Sequence, residues 1–344
     1  GGLMGRKVEV VFADTKGIPE EGAAAVERLI TKDNVVAITG EYHSAVCVAE
    51  IEVAHTYGVP FTIASCWADT LTEANYKEIF RTSVYNTRIG NHVAEFAKAY
   101  GFKNIVGIAE DTDYGAGLAK NVERALNELG VPAEYRYEVL AFETKDFVPI
   151  LLEYKALTPI PDLLVSCFTP PEEFLELKQA YEMGFAPTAE TLPYSLTGTI
   201  TRHTEFWENL EEAGVYGLGF APYSPSVELP PLGMDARERY EAKFDREPSY
   251  AVMQGYDAAI ALLDAIGRAG STDAEKILAA LETTDMLGTR GRIVFGTDPG
   301  SVYYHQWKDV PVFTLQYIKE GQTTDEATIL APEEFKTGDL ARPG

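Results

Sequence analysis

From Val35 to Thr72 the chain reads as strand, tight turn, helix, strand and second turn: VVAITGEYHSAVCVAEIEVAHTYGVPFTIASCWADTLT. Val35 to Thr39 is β-branched and apolar, as a strand buried on both faces requires. Gly40 breaks it, and Ser44 stands where a helix over 45–57 would be capped. Gly58 and Pro60 punctuate the end of that helix, Phe61 to Ser65 reads as the next strand, and Cys66-Trp67-Ala68-Asp69 follows. In a parallel sheet both turns lie at the carboxyl ends of neighbouring strands, where open α/β sheets bind ligands. Free N–H groups at a helix start, with a hydroxyl beside them, cradle a carboxylate. The plain alternative is that Ser44 is only a helix cap.

The rest of the chain repeats this alternation. A strand is expected at Val8 to Ala13 and a helix from Glu20 to Lys32. A short strand around Phe80 to Ser83 leads to a helix over 88–100 with Ile89, Val93, Phe96 and Ala97 inward. Strands at 104–109, 135–140 and 163–167 alternate with helices at 116–129, 147–157 and 171–183. Residues 186–234 are rich in Pro, Gly, Thr and Ser, with a short helix near 205–212 and a strand near 215–220. Helices are expected at 235–245, 250–268 and 273–283, and strands at 290–295, 303–307 and 312–318. Such alternation specifies an α/β fold with a mostly parallel, doubly wound sheet and right-handed crossovers.

Charge and cysteine content exclude several function classes. With 53 Asp and Glu against 29 Lys and Arg, the net charge of −24 argues against a nucleic-acid partner, which needs basic patches to displace counterions. No apolar run is long enough to span a bilayer. Cys47, Cys66 and Cys167 lack zinc-type spacing, and Cys47 and Cys66 are able to meet near the two turns. No signal peptide is visible, and the opening Gly-Gly-Leu-Met-Gly suggests a trimmed N-terminus.

No catalytic constellation emerges. None of the five histidines is paired at i, i+4 with another metal ligand, and there is no G-x-S-x-G elbow, Walker loop or G-x-G-x-x-G after a strand. Glu110 and Asp111 read as solvated turn residues, His55 as surface or packing. His43 is the one histidine placed beside the two turns. Catalytic residues, metal and cofactor are therefore all expected to be none, and binding is favoured over catalysis.

The segments GGLMGRKVEVVFADTKGIPEEGAAAVERLI, AITGEYHSAVCVA, GVPFTIAS, IFRTSVYN, DTDYGAGLAKNV and GYDAAIALLDAI with GSTDAEKILAALE stand in one order along the chain. In that order they resemble the type I periplasmic binding proteins, nearest the branched-chain amino-acid (leucine/isoleucine/valine) group that serves ABC importers. The resemblance implies two doubly wound lobes joined by three crossover segments and closing on a small ligand. Lobe 1 would be 1–85 plus 222–300, and lobe 2 would be 86–221 plus 301–344. The family has one more strand and helix before the Gly-Gly-x-x-Gly-Arg stretch, which this chain lacks.

The resemblance also implies a pocket. Ser44 matches the serine that holds the ligand carboxylate, and Ser65 a position whose carbonyl accepts from the ligand ammonium. Trp67, after Cys66, stands where amino-acid binders have threonine; its N–H still serves, but the hydroxyl is gone. Tyr114 matches the tyrosine of lobe 2 that closes over the ligand. Thr197 lies near the acidic ammonium partner, and the loop Tyr194 to Gly198 contains no acidic residue. Phe168 and Tyr250 match walls of the side-chain pocket. Without the threonine hydroxyl and the acid, a buried ammonium loses partners worth about 1–3 kcal/mol each. Trp67, Tyr114, Phe168 and Tyr42 form instead an aromatic wall for a ring or apolar tail. The expected function is an extracytoplasmic solute-binding protein, on the periplasmic or outer face of the membrane. It would be monomeric and deliver an amino acid or an aromatic or aliphatic carboxylate to an ABC permease. A ligand-sensing regulator of the same fold, binding an amide or amino acid, is the alternative.

Overall fold

The computed structural model describes residues 2–344. The chain divides into two compact units, Gly1–Tyr85 with Leu229–Pro311 and Asn86–Glu228 with Val312–Gly344. It crosses from one to the other after Tyr85, Glu228 and Pro311; the resemblance placed these crossings after residues 85, 221 and 300.

Unit 1 begins with α1 (Pro19–Thr31), β1 (Ile38–Gly40), α2 (Ser44–Tyr57), β2 (Phe61–Ile63), α3 (Thr70–Glu73) and β3 (Ile79–Arg81). Unit 2 then runs α4 (Asn86–Tyr100), β4 (Asn104–Glu110), α5 (Gly115–Glu128), β5 (Glu134–Leu140), α6 (Val148–Lys155), β6 (Leu163–Cys167), α7 (Glu172–Glu182), β7 (Leu192–Ser195), α8 (His203–Leu210) and β8 (Leu218–Ala221). The chain returns to unit 1 for α9 (Pro231–Phe244), α10 (Tyr250–Ala269), α11 (Ala274–Glu282), β9 (Asp285–Leu287) and β10 (Arg292–Val294). It ends in unit 2 with β11 (Phe313–Gln316) and β12 (Thr328–Ala331).

In unit 1, β1, β2 and β3 pair in parallel in that order, and β9 and β10 form a separate antiparallel pair. Their helices bury Val26, Ile51 and Ala54 against Ile38, Phe61, Ile63 and Ile79. Gly58 ends α2 in the left-handed region at φ 67°, the conformation that favours glycine after a helix. The expected strand at Val8 to Ala13 does not form. Its residues pair with no neighbour, and Val10 and Phe12 are 66% and 86% exposed. A β-like composition makes a strand only when a partner edge takes its N–H and C=O groups. Residues 6–11 and 35–39 instead flank a groove of about 730 Å³ floored by Leu29, Leu262 and Ile266. Residues 303–307, also expected as a strand, make only isolated bridges to Arg81, Phe295 and Gly296.

The sheet of unit 2 has the order β12-β11-β8-β7-β6-β4-β5. Its strands β4 to β8 are parallel, while β11 runs antiparallel to both β8 and β12. Sequential strands depart in opposite directions from β4, with β5 on one side and β6 on the other, so the sheet's topological switch point lies between β4 and β6. Val106, Ile108 and Leu164 pack with Leu151 and Phe185 in one core cluster, and Leu315 and Ile329 with Phe174 and Phe206 in another. The sequence reading omitted β7, β9 and β12, which are short and irregular in composition.

A buried ion pair within the second chain segment of unit 1 positions Arg290 to bond the first. Arg290 donates from Nε to Asp257 at 2.9 Å and from Nη2 to the Thr82 carbonyl at 2.9 Å, and Asp257 also accepts the Thr289 N–H at 2.6 Å. Both side chains are essentially inaccessible. Arg290→Met should cost about 3–5 kcal/mol in chemical denaturation, because it strands a buried carboxylate; Asp257→Leu with Arg290→Met should recover much of that loss. A loss in the double variant equal to the sum of the two single-variant losses would show that the pair is not coupled.

Candidate functional site

In unit 1 the turns after β1 and β2 are stitched together by side chains. Ser44 does not cap its helix: α2 starts at Ser44 itself, with His43 in the cap position and no side-chain cap bond. Glu41, at φ 65°, braces the turn before the helix, its Oε1 accepting the N–H groups of Tyr42 and His43 at 2.8 and 2.9 Å, and leaves the first helical turn uncapped. The Ser44 hydroxyl instead reaches the other turn, where Oγ accepts the N–H groups of Trp67 and Ala68, each at 3.1 Å. The Trp67 N–H, expected to serve a ligand, is thus engaged by Ser44. A hydroxyl has two acceptor sites and one proton. With both acceptor sites filled, Ser44 is left as a donor. Beside it, the first helical bond runs from Cys47 N to His43 O, so Ser44, Ala45 and Val46 bring N–H groups with no acceptor inside the helix.

Arg81 holds the second turn from beneath. Its buried guanidinium donates to the carbonyls of Cys66 and Ala68 at 3.1 and 2.6 Å, and its Nε to Gln306 at 2.7 Å. Ser65 donates its hydroxyl to Gln254 Oε1 at 2.7 Å, and the Trp67 indole N–H reaches the same oxygen at 3.4 Å. The Trp67 ring lies 5.3 Å from that of Tyr250, whose hydroxyl donates to Tyr42 at 3.2 Å. His43, half-exposed, stands edge-on to Tyr42, and Cys66 Sγ donates to the His43 carbonyl at 3.7 Å. Tyr42, His43, Ser44, Ser65, Cys66, Trp67 and Tyr250 therefore belong to one connected network. Cys47 and Cys66 are free buried thiols whose pKa values burial pushes up, so neither is activated as a nucleophile.

Tyr114, Thr197 and Phe168 belong to unit 2. Tyr114 precedes α5, donates its hydroxyl to the Leu196 carbonyl at 3.3 Å, and offers its own carbonyl to Asn86 Nδ2 at 2.9 Å. At Gly115 an added Cβ would come within 2.3 Å of the Glu110 side chain and 2.8 Å of the Cys167 carbonyl, so only glycine lets α5 start this close to the ends of β4 and β6. Phe168, expected at a pocket wall, is wholly buried against Phe147 in a core cluster of unit 2, at 5.1 Å between centroids. Glu110, expected as a solvated turn residue, is buried, accepting the Thr169 N–H at 2.6 Å and the Thr112 hydroxyl at 2.6 Å.

The loop holding Thr197 contains no acid, yet the structure brings one to it. Thr197 donates to Glu173 Oε1 at 2.6 Å, and Ser195 donates to the same atom at 2.5 Å. Glu173 comes from the first turn of α7. Gln254, Arg81, Glu41 and Glu173 were all missed from the sequence. The available signal was a polar residue on the inward stripe of an apolar helix, as with Gln254 after Tyr250 and Met253, or Glu173 and Glu176 before Leu177 and Ala180.

A family model described as periplasmic binding protein matches residues 1–309. The Leu/Ile/Val-binding protein homolog 7 of Brucella abortus is 24% identical over 336 residues, covering 92% of this chain and 82% of that protein. The crystal structure of a leucine-binding protein, LivK, from Thermotoga maritima superposes with a TM-score of 0.83 at 28% identity, over 96% of this chain and 88% of that one. A solute-binding protein of an ABC transporter from R. palustris, solved in complex with benzoate, has a TM-score of 0.79 at 19% identity, over 96% and 86% of the two chains; at that identity the likeness is one of fold.

Below the Ser44 turn, Glu50 is pushed up to about 8 from its ordinary 4.5, first by burial and then by the Glu41 charge. The native state therefore holds a proton that the unfolded chain releases above 4.5, so Glu50's contribution to stability falls as pH rises through that window. Glu50→Gln should melt near the wild-type temperature around pH 5 and progressively above it toward pH 8, as read by thermal unfolding. A pH-independent difference would remove Glu50 from this role.

Proposed function

Because the chain belongs to the periplasmic binding protein family, we propose that it is the extracytoplasmic solute-binding component of an ABC importer. It captures a small carboxylate-bearing molecule and presents it to a membrane permease without chemical turnover. The observation that carries this reading is the state of Ser44. Its oxygen is filled by two N–H groups, its proton is free to donate, and the open N–H groups of the first α2 turn lie beside it. An arrangement with donors only, and with the helix dipole behind it, selects an anion; a planar carboxylate presents two acceptor oxygens to it.

Trp67, Tyr250 and Tyr42 supply an apolar body with polar tips next to that donor set, suited to the aliphatic or aromatic remainder of such a molecule. The indole of Trp67 is fixed by Gln254 and its backbone by Ser44, so this wall is held before ligand arrives. Placement outside the cytoplasm, a permease partner and a monomeric state complete the reading by analogy with the family.

Thermal-shift screening of two ligand sets tests it, one of aliphatic amino acids and one of aromatic and aliphatic carboxylates without an amine. A tight ligand at a hundredfold excess over its Kd stabilises the native state by about 2.7 kcal/mol. A shift with either set supports carboxylate capture; no shift with both sets rejects it. Ser44→Ala should then weaken the ligand found by about 1–3 kcal/mol in calorimetry, since a charge-assisted bond is lost. Unchanged affinity in a folded Ser44→Ala protein would take Ser44 out of the site. Trp67→Ala should abolish binding of a bulky ligand, and wild-type affinity there would place the indole elsewhere.

A further inference from the structure

Two of the cysteines stand side by side at the turns that Ser44 joins. Cys47 lies in the first turn of α2, on the same helix as Ser44, and Cys66 directly precedes Trp67. They converge on one oxygen: the His43 carbonyl accepts the Cys47 N–H at 3.0 Å and the Cys66 thiol at 3.7 Å. Both side chains are wholly buried in one core cluster with Ile38, Ile51, Phe61, Ile63 and Leu71. Inside that cluster the two sulfurs are within hydrogen-bonding reach of each other. Cys167 stands apart from them in sequence, at the end of β6 in unit 2.

We propose that Cys47 and Cys66 are oxidised to a disulfide that braces the two turns of the Ser44 site covalently. The inference rests on the placement outside the cytoplasm proposed above, because disulfides form and persist in oxidising compartments. The surroundings suit the bond. A disulfide carries neither proton nor charge, so an apolar cluster accommodates it without a polar partner. Oxidation takes the Cys66 proton from the His43 carbonyl, but the Cys47 N–H still fills that oxygen, and no buried polar group is orphaned. The backbone on either side is already fixed. The Cys66 carbonyl accepts from Arg81 at 3.1 Å and from the Ser83 hydroxyl at 3.2 Å, while Cys47 is held by the first helical bond of α2. Bridging two cysteines requires backbones that already lie close, and here one carbonyl touches both residues.

Burial also sets the order of events. It pushes both thiols up, with the Glu41 and Glu50 carboxyls adding to it, so the folded chain offers little of the thiolate that reacts. The bond therefore forms while the turns are still open. One cysteine, as thiolate, attacks a sulfur of a disulfide oxidant and expels half of it as a thiolate. The other cysteine then attacks the mixed disulfide and expels the second half. The pair gives up two protons and two electrons, and the oxidant leaves as two thiols. Once the core closes, the same burial shields the bond from reducing thiols.

Refolding the full chain from denaturant in a mixture of oxidised and reduced glutathione tests the assignment. Intact mass should show the loss of two hydrogens, and peptide mapping should join Cys47 to Cys66 with Cys167 still open to alkylation. The crosslinked chain should melt about 5 °C or more above the same chain refolded under reductant, the effect of closing the 47–66 loop in the unfolded state. Cys47→Ala and Cys66→Ala should each melt at one temperature whichever way they are refolded. A wild-type chain with both thiols free, or with Cys167 in the crosslink, overturns the proposal. So does a crosslinked chain that melts no higher than the reduced one. Should either variant fail to fold, the wild-type comparison decides by itself. The readout is also separate from ligand binding. Carboxylate capture with Cys47 and Cys66 both free overturns the disulfide alone, while a stabilising crosslink in a chain that binds no carboxylate rejects the functional reading and leaves the disulfide standing.

Discussion

The pair of bonds from the Trp67 and Ala68 N–H groups to one Ser44 oxygen organises unit 1. It joins the turn after β1 to the turn after β2, fixes where α2 begins, and turns an ordinary serine into a pure donor. Arg81 makes this possible from below. Its two bonds to the carbonyls of Cys66 and Ala68 hold the peptide planes so that the intervening N–H groups face Ser44. A buried guanidinium is expensive unless its donors are filled, and here carbonyls and Gln306 fill them. The same residues therefore satisfy burial and prepare the site.

Unit 2 uses the opposite electrostatics. Where unit 1 presents donors at a helix start, unit 2 places acids after β4 and β6, with hydroxyls turned toward them. Gly115 and the short turn after β4 bring α5 against both strand ends, leaving the start of α7 to carry the carboxylates. Burial pushes the carboxyl groups of Glu173 and Glu176 up from the ordinary carboxylate range, against the hydroxyls of Ser195, Thr197 and Ser166 that donate to them.

The alternation of β-branched runs and amphipathic helices made the α/β class legible, because both faces of a parallel sheet must be covered and each layer leaves its own period in the sequence. Helices with strong stripes were placed nearly as found: α4 (Asn86–Tyr100) buries Ile89, Val93, Phe96 and Ala97 as their spacing requires. Val8 to Ala13 was misread because local composition does not report whether a neighbouring edge is there to pair. Phe168 lies in a core cluster, and an aromatic after a strand looks the same in the sequence whether it faces a pocket or the core. Ser44 looks like a helix cap in the sequence, but its hydroxyl serves the adjacent turn and α2 has no side-chain cap.

Sequence alone determined the layered architecture, the net charge of −24, and the two turns at strand ends that gather Tyr42, His43, Ser44, Ser65, Cys66 and Trp67, since these follow from local periodicity, composition and turn chemistry. Tertiary structure decided which atoms are free to act. Whether the Ser44 proton is available depends on Trp67 and Ala68, and whether a carboxylate reaches Thr197 depends on Glu173, 24 residues away in sequence. Hydrogen-bond valence is settled only when distant groups converge in a medium without water, and no local pattern in a chain encodes that convergence.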